Sequence, residues 1–125
     1  LFSNILQQLT EEMSELYDAR CKLGTCIDLP DLDNQTKEQL YLIAREAVNN
    51  AARHANAEQI TIQLTGDEST WTLRVEDNGQ GFDTKVSADG MGTRIMRHRA
   101  EKIHATVSTR SAPNEGTTIE VTNNI

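Results

Sequence analysis

Apolar and polar positions change period several times along the chain, and each change marks an element. Phe2, Ile5, Leu6, Leu9, Met13, Leu16 and Tyr17 recur at helical spacing, which predicts an amphipathic helix ending near Arg20. Thr25, Ile27 and Leu29 alternate and predict a short strand leading to Pro30, and PDLDNQ is a turn by composition. Thr36-Lys37-Glu38-Gln39 fits a T-x-x-Q capping box that opens a second helix. Its apolar stripe is Leu40, Ile43, Ala44, Ala47, Val48, Ala51 and Ala55.

The period then shortens to two. Ile60, Ile62 and Leu64 alternate, Gly66-Asp67 turns the chain, and Trp71, Leu73 and Val75 alternate again, which predicts a hairpin. A glycine-rich stretch follows. Ile95, Met96, Ala100 and Ile103 predict a third helix, Val107 and Thr109 a strand, and Ile119 and Val121 a last strand after the turn Pro113–Gly116. The order is α-β-α-β-β-loop-α-β-β. The natural packing is an α+β sandwich, with the helices on one face of a mixed sheet.

Bulk properties narrow the function. The chain has 125 residues, one ordinary domain, and 37% of them are hydrophobic. The formal net charge is -7 and the pI about 4.9, so nucleic acid and anionic membrane surfaces are not expected partners. No apolar run approaches the roughly 18 residues of a membrane span. No signal peptide is visible, and the chain opens with Leu1 rather than Met, so it reads as a segment of a longer protein. Cys21 and Cys26 form a C-x4-C pair without neighbouring ligands, which suits two reduced thiols in a cytoplasmic domain better than a zinc site.

Four short stretches carry candidate chemistry. On the second helix, Glu46, Asn50, Arg53 and His54 project into one sector that borders the apolar stripe. An amide oxygen there suits Mg2+, a guanidinium suits phosphate, and a carboxylate suits proton acceptance or water orientation. Asp77 ends an alternating run and precedes Gly79 and Gly81; its carboxylate can accept from an exocyclic amine such as adenine's, and the glycines permit positive φ and close approach. Gly90-Met91-Gly92-Thr93 stands directly before the third helix, where free N–H groups suit a phosphate. Gly116-Thr117-Thr118 follows the last turn and offers a hydroxyl. Neither a Walker lysine nor a G-x-G-x-x-G fingerprint is present. Each stretch also has a plainer explanation: a solvated helix face, a helix-terminal cation, a D-N-G turn, a capped loop.

As an ordered set, these residues resemble the ATP-binding catalytic domain of sensor histidine kinases, in the GHKL superfamily with its Bergerat fold. Glu46-x-x-x-Asn50-x-x-x-His54 matches the N box, Asp77-x-Gly79-x-Gly81 the G1 box, Gly90-x-Gly92 the G2 box and Gly116-Thr117 the late G-T motif. LYLIAREAVNNAARHANA and GMGTRIMRHRAEKI are similar in wording to the subfamily that pairs with response regulators of the nitrate/nitrite type. The resemblance covers roughly residues 22–122, which makes 22–125 the catalytic domain and 1–21 the end of a dimerisation helix or a linker.

The resemblance implies ATP and Mg2+ as ligands. It implies that Asp77 bonds the adenine N6 amine, Asn50 ligates Mg2+, Glu46 is the general base or polarising residue, and Arg53 and His54 line the phosphates. Gly90 and Gly92 would hinge an ATP lid whose variable part is Thr84–Asp89, Met91 and Thr93 would bind the nucleotide beside them, and Thr117 would reach adenine through water. The implied partners are a dimerisation domain carrying the acceptor histidine and a response regulator, with no direct membrane contact by this domain, although the parent protein could be anchored.

Several departures stand beside this. The lid is short and lacks a phenylalanine-based F box, Thr93 stands where the family usually has Leu, and Ile103-His104-Ala105 replaces a common glycine pair. His54, His98 and His104 all lie within or after the ATP-binding boxes, so none looks like a phosphoacceptor. A GHKL ATPase, an anti-sigma-factor-like Ser/Thr kinase and a non-catalytic nucleotide-binding module share the boxes and remain open on sequence.

Overall fold

The computed structural model describes residues 1–81 and 91–124. Its elements are α1 (Phe2–Leu16), β1 (Arg20–Cys26), α2 (Asn34–His54), β2 (Gln59–Gly66), β3 (Trp71–Asp77), α3 (Met91–Glu101), β4 (Ala105–Ser111) and β5 (Thr117–Asn123). The sheet order is β1-β2-β3-β5-β4. β1 and β2 run parallel, and every other neighbouring pair is antiparallel. The expected mixed sheet, hairpin and element order are therefore present.

Alternation decides which face of the sheet is covered. Ile60, Ile62, Leu64, Trp71, Leu73, Val75, Ile119 and Val121 point to one face and are buried. Leu40, Ile43, Ala47 and Val48 of α2, Met96 and Ala100 of α3, and Phe2, Leu6, Leu9 and Met13 of α1 complete one continuous core with them. The opposite face is polar: Arg74 sits across from Glu120, which Arg110 also reaches at 2.8 Å.

Four local expectations are corrected. α1 stops at Leu16 rather than near Arg20: the Tyr17 N–H closes onto the Met13 carbonyl, and Asp18 turns out of the helix with φ +33. The chain can then enter β1 at once, where the Cys21 N–H donates to Ser14 Oγ at 3.0 Å. The first strand is accordingly Arg20–Cys26 rather than the Thr25–Leu29 stretch, because pairing with β2 outweighs alternation in a strand whose register is irregular between Leu23 and Cys26. The cap of α2 is Asp33, not Thr36: its Oδ1 accepts the Thr36 N–H at 2.7 Å, while Gln39 turns into the structure and is buried. Finally, α3 begins at Met91, so Met91-Gly92-Thr93 forms its first turn instead of preceding it, and Ile103 packs from the turn beyond its end.

α1 stabilises the domain by burial rather than by caps, since its N-cap is Leu1 with no side-chain bond. Leu6 is fully buried at 0% exposure. Leu6→Ala is expected to cost about 2–5 kcal/mol, the usual range for a buried leucine truncation. Urea denaturation followed by circular dichroism checks this; a loss below about 1 kcal/mol would mean that α1 is not part of the cooperative unit.

Candidate nucleotide-binding site

The site is built where β3 ends. Asp77 is its last residue, half-buried between Ile60 of β2 and Thr117 of β5, its partners in the ladder. Its Oδ1 accepts the Gly79 N–H at 2.8 Å, which holds the carboxylate from below. Burial pushes the Asp77 carboxyl above its ordinary value. The backbone N–H groups of Gly79 and Thr117 pull it down, and the charge of Glu76 adds to the upward push. The result is a carboxylate partly desolvated and partly compensated by two backbone N–H groups.

The loop after Asp77 is pressed between two pieces of backbone. On one side lies the end of α2: the Gln80 N–H donates to the Ala55 carbonyl at 2.8 Å, and a Cβ at Gly79 would stand 2.7 Å from both Ala55 Cβ and its oxygen. On the other lies the β4–β5 turn. Gly81 has φ +65, and a Cβ there would stand 2.1 Å from the Ala112 carbonyl oxygen. The two glycines are thus required by the protein's own backbone. Gly81 takes the expected positive φ and Gly79 does not.

Asn78 fastens the same loop. Its Oδ1 accepts the N–H groups of Glu58 and Gln59 at 3.0 and 2.9 Å, and its own N–H donates to the Gln59 carbonyl. Thr117 is buried, and its Oγ1 pairs with Ser111 Oγ at 2.8 Å, while Ser111 Oγ also lies 3.1 Å from the Gly116 carbonyl. Neither Asn78 nor Ser111 was singled out from sequence. The D-N-G triplet was a visible signal for Asn78, but its partners lie 20 and 19 residues away.

The α2 residues are arranged as the helix period requires. Glu46 and Asn50 are half-buried, and Arg53 and His54 are exposed in the last turn. At roughly 100° per residue, Glu46 and Asn50 lie within about 20° of Gln39 around the helix. Gln39 accepts from Arg99 of α3 at 3.3 Å, so the edge carrying Glu46 and Asn50 is the one turned towards α3. Thr93 is half-buried in the first turn of α3. Gly90 and the lid residues Thr84–Asp89 lie outside the described residues.

At one end of this α+β sandwich stand a half-buried aspartate closing β3, a glycine loop clasped between two backbones, and the polar edge of α2. The Histidine kinase-, DNA gyrase B-, and HSP90-like ATPase family matches residues 35–124, and the chain belongs to that family. The sensor protein VraS of Staphylococcus epidermidis is 38% identical over 86 residues, 68% of this chain and 25% of that protein. VraS of Staphylococcus aureus is 37% identical over the same length. This chain therefore spans about a quarter of the length of these relatives. Among solved structures, the histidine kinase domain of the Erythrobacter litoralis EL346 blue-light activated histidine kinase superposes with a TM-score of 0.80 at 18% identity, covering 98% of this chain and 60% of that one. The ATP binding domain of PrrB from Mycobacterium tuberculosis gives 0.71 at 19%, covering 94% and 88%. At such identities these two establish the shared fold. The family match places the chain among these ATPase domains, and the VraS relatives at 37–38% identity are sensor proteins.

The raised Asp77 carboxyl has a consequence for stability. Its folded value lies above the ordinary 3.8, so the folded state holds its proton more tightly than the unfolded chain does. Its favourable contribution is full below about pH 3.8 and is lost as pH rises through the folded value. Asp77→Asn is expected to remove that slope, so that the variant gains on the wild type between pH 4 and pH 7. Urea midpoints across this range check it; a constant difference would contradict a desolvated Asp77.

Proposed function

We propose that the chain is the ATP-binding, catalytic part of a sensor histidine kinase and transfers the γ-phosphoryl group of MgATP to a histidine on a dimerisation domain outside this chain. The carrying observation is the desolvated Asp77 carboxylate at the strand end, oriented by Gly79 and adjacent to buried Thr117. It accepts the adenine N6 amine, and Thr117 assists at the same end through its hydroxyl.

The α2 edge takes the other end of the nucleotide. Asn50 offers an amide oxygen to Mg2+, and Arg53 and His54 face the phosphates from the last helical turn. Asn50 is a neutral oxygen donor, which suits a hard cation that takes most of its other ligands from phosphate and water. The bound ion would neutralise charge on the β- and γ-phosphates. Met91, Gly92 and Thr93, the first turn of α3, then offer free backbone N–H groups to a phosphate. In the transfer, an imidazole nitrogen of the acceptor histidine bonds to the γ-phosphorus, the bond to the β–γ bridging oxygen breaks, and ADP leaves. Glu46 receives the imidazole proton or orients it. Catalysis is largely positioning and charge stabilisation.

A response regulator would receive the phosphoryl group in turn. A cytoplasmic location suits a domain using ATP, and no helix among the described residues is long and apolar enough to cross a membrane. The narrower placement beside nitrate/nitrite-type sensors rests on the wording of two sequence stretches alone; the relatives found are VraS sensors, which lend it no support.

Calorimetry with a non-hydrolysable ATP analogue and Mg2+ is expected to give a Kd in the micromolar to millimolar range, and Asp77→Asn to abolish binding while circular dichroism is unchanged. Binding that survives in that variant would remove Asp77 from adenine recognition. Chelating Mg2+ with EDTA should weaken wild-type binding; equal affinity with and without it would refute the role of Asn50. Incubated with ATP and a separately expressed dimerisation domain of its parent protein, the chain is expected to label that domain's histidine, and Glu46→Gln to slow labelling by about 100-fold or more, the usual scale of general-base loss. Labelling at the wild-type rate would exclude Glu46 from proton transfer.

A further inference from the structure

We propose that Asn78 is the positioning residue for Asp77: its side chain staples the glycine loop to the start of β2 and so holds the Gly79 N–H under the Asp77 carboxylate. This rests on the reading of Asp77 as the adenine acceptor. Four hydrogen bonds tie the loop to residues 55–59. Two converge on Asn78 Oδ1, from the N–H groups of Glu58 and Gln59. One runs from the Asn78 N–H to the Gln59 carbonyl at 3.2 Å, and one from the Gln80 N–H to the Ala55 carbonyl at 2.8 Å. Gly79 lies between the two stapled residues, and its N–H reaches Asp77 Oδ1 at 2.8 Å.

The geometry leaves few substitutes for asparagine. A side-chain oxygen must sit two bonds past Cβ to meet two consecutive N–H groups on the neighbouring strand. Aspartate could do the same but would set a second carboxylate beside Asp77, already flanked by Glu76. Asn78 is exposed, so water can satisfy Glu58 and Gln59 once its side chain is gone. The cost of removing it therefore falls on loop position more than on folding. Asn56 takes φ +52 directly after α2, so the segment that Asn78 grips is a tight reversal with little slack. Without the grip, the peptide before Gly79 can rotate, its N–H leaves Asp77 Oδ1, and the carboxylate is free to swing from its donor-facing pose.

The test compares wild type, Asn78→Ala, Asn78→Ser and Asp77→Asn. Adenosine is the calorimetric probe because it carries the base without the phosphates. The second readout is the Asp77 carboxyl titration, followed by 13C NMR, which needs no nucleotide. For Asn78→Ala we expect adenosine affinity about tenfold weaker, an Asp77 titration displaced to higher pH through loss of the Gly79 N–H, and a Tm within a few degrees of wild type. Asn78→Ser, whose hydroxyl oxygen falls one bond short of that reach, should match Asn78→Ala. A variant with lowered Tm but unchanged affinity and unchanged titration would show a merely structural asparagine and overturn the proposal. Should Asn78→Ala fail to fold, Asn78→Ser decides by the same two readouts. If Asp77→Asn binds adenosine as wild type does, the adenine assignment fails instead. If Asp77→Asn loses binding while both Asn78 variants match wild type, only the positioning role fails.

Discussion

The candidate site depends on how closely one loop of backbone can be pressed between two others. The loop at 78–81 touches the end of α2 through Ala55 and the β4–β5 turn through Ala112. A side chain on Gly79 or Gly81 would have to occupy space already held by those backbones. Because the contacts are made by main-chain atoms, no rotamer change can relieve them. The close fit brings three segments to one place: the residue after α2, the loop that follows the terminal aspartate of β3, and the turn before β5. None of these groups needs to be chemically unusual. Their proximity is set by the clasp.

Electrostatics follow from that placement. Asp77 loses water because strands flank it on both sides, and loss of water raises the energy of its charged form. Two backbone N–H groups partly compensate, one from the clasped loop and one from β5. A carboxylate held in this intermediate condition is predisposed to accept a further donor. By contrast, the Arg74–Glu120–Arg110 array lies on the open face of the sheet, where exposed pairs contribute only about 0–1 kcal/mol.

The sheet order explains why α2 can serve the site at all. α2 connects two parallel neighbours, β1 and β2, and so must cross the covered face of the sheet. Its apolar stripe is consumed by that crossing, which leaves its polar edge, with Glu46 and Asn50, turned towards α3. α1 lies on the same face and contributes to the same core, so the helix carrying the polar edge is supported along its length.

Alternating strands and amphipathic helices were legible from sequence because each segment buries one face, and a buried face imposes its period on local residues. β2, β3, β5 and the body of α2 are of this kind. The candidate motif at the end of β3 was visible as well, since Asp77 and the glycines stand close together in the chain. The bounds of β1 were not: RCKLGTC shows no clean period, and only its pairing with β2 made it a strand. Nor was the cap of α2, where Asp33 and Thr36 were both chemically suitable and the backbone geometry chose between them. The sequence by itself determined which segments had to be helices or strands and which acid stood at the end of β3. The tertiary structure alone decided what the glycines make room for and what Asn78 and Ser111 hold, because those partners meet through space, and no local period records a contact between distant segments.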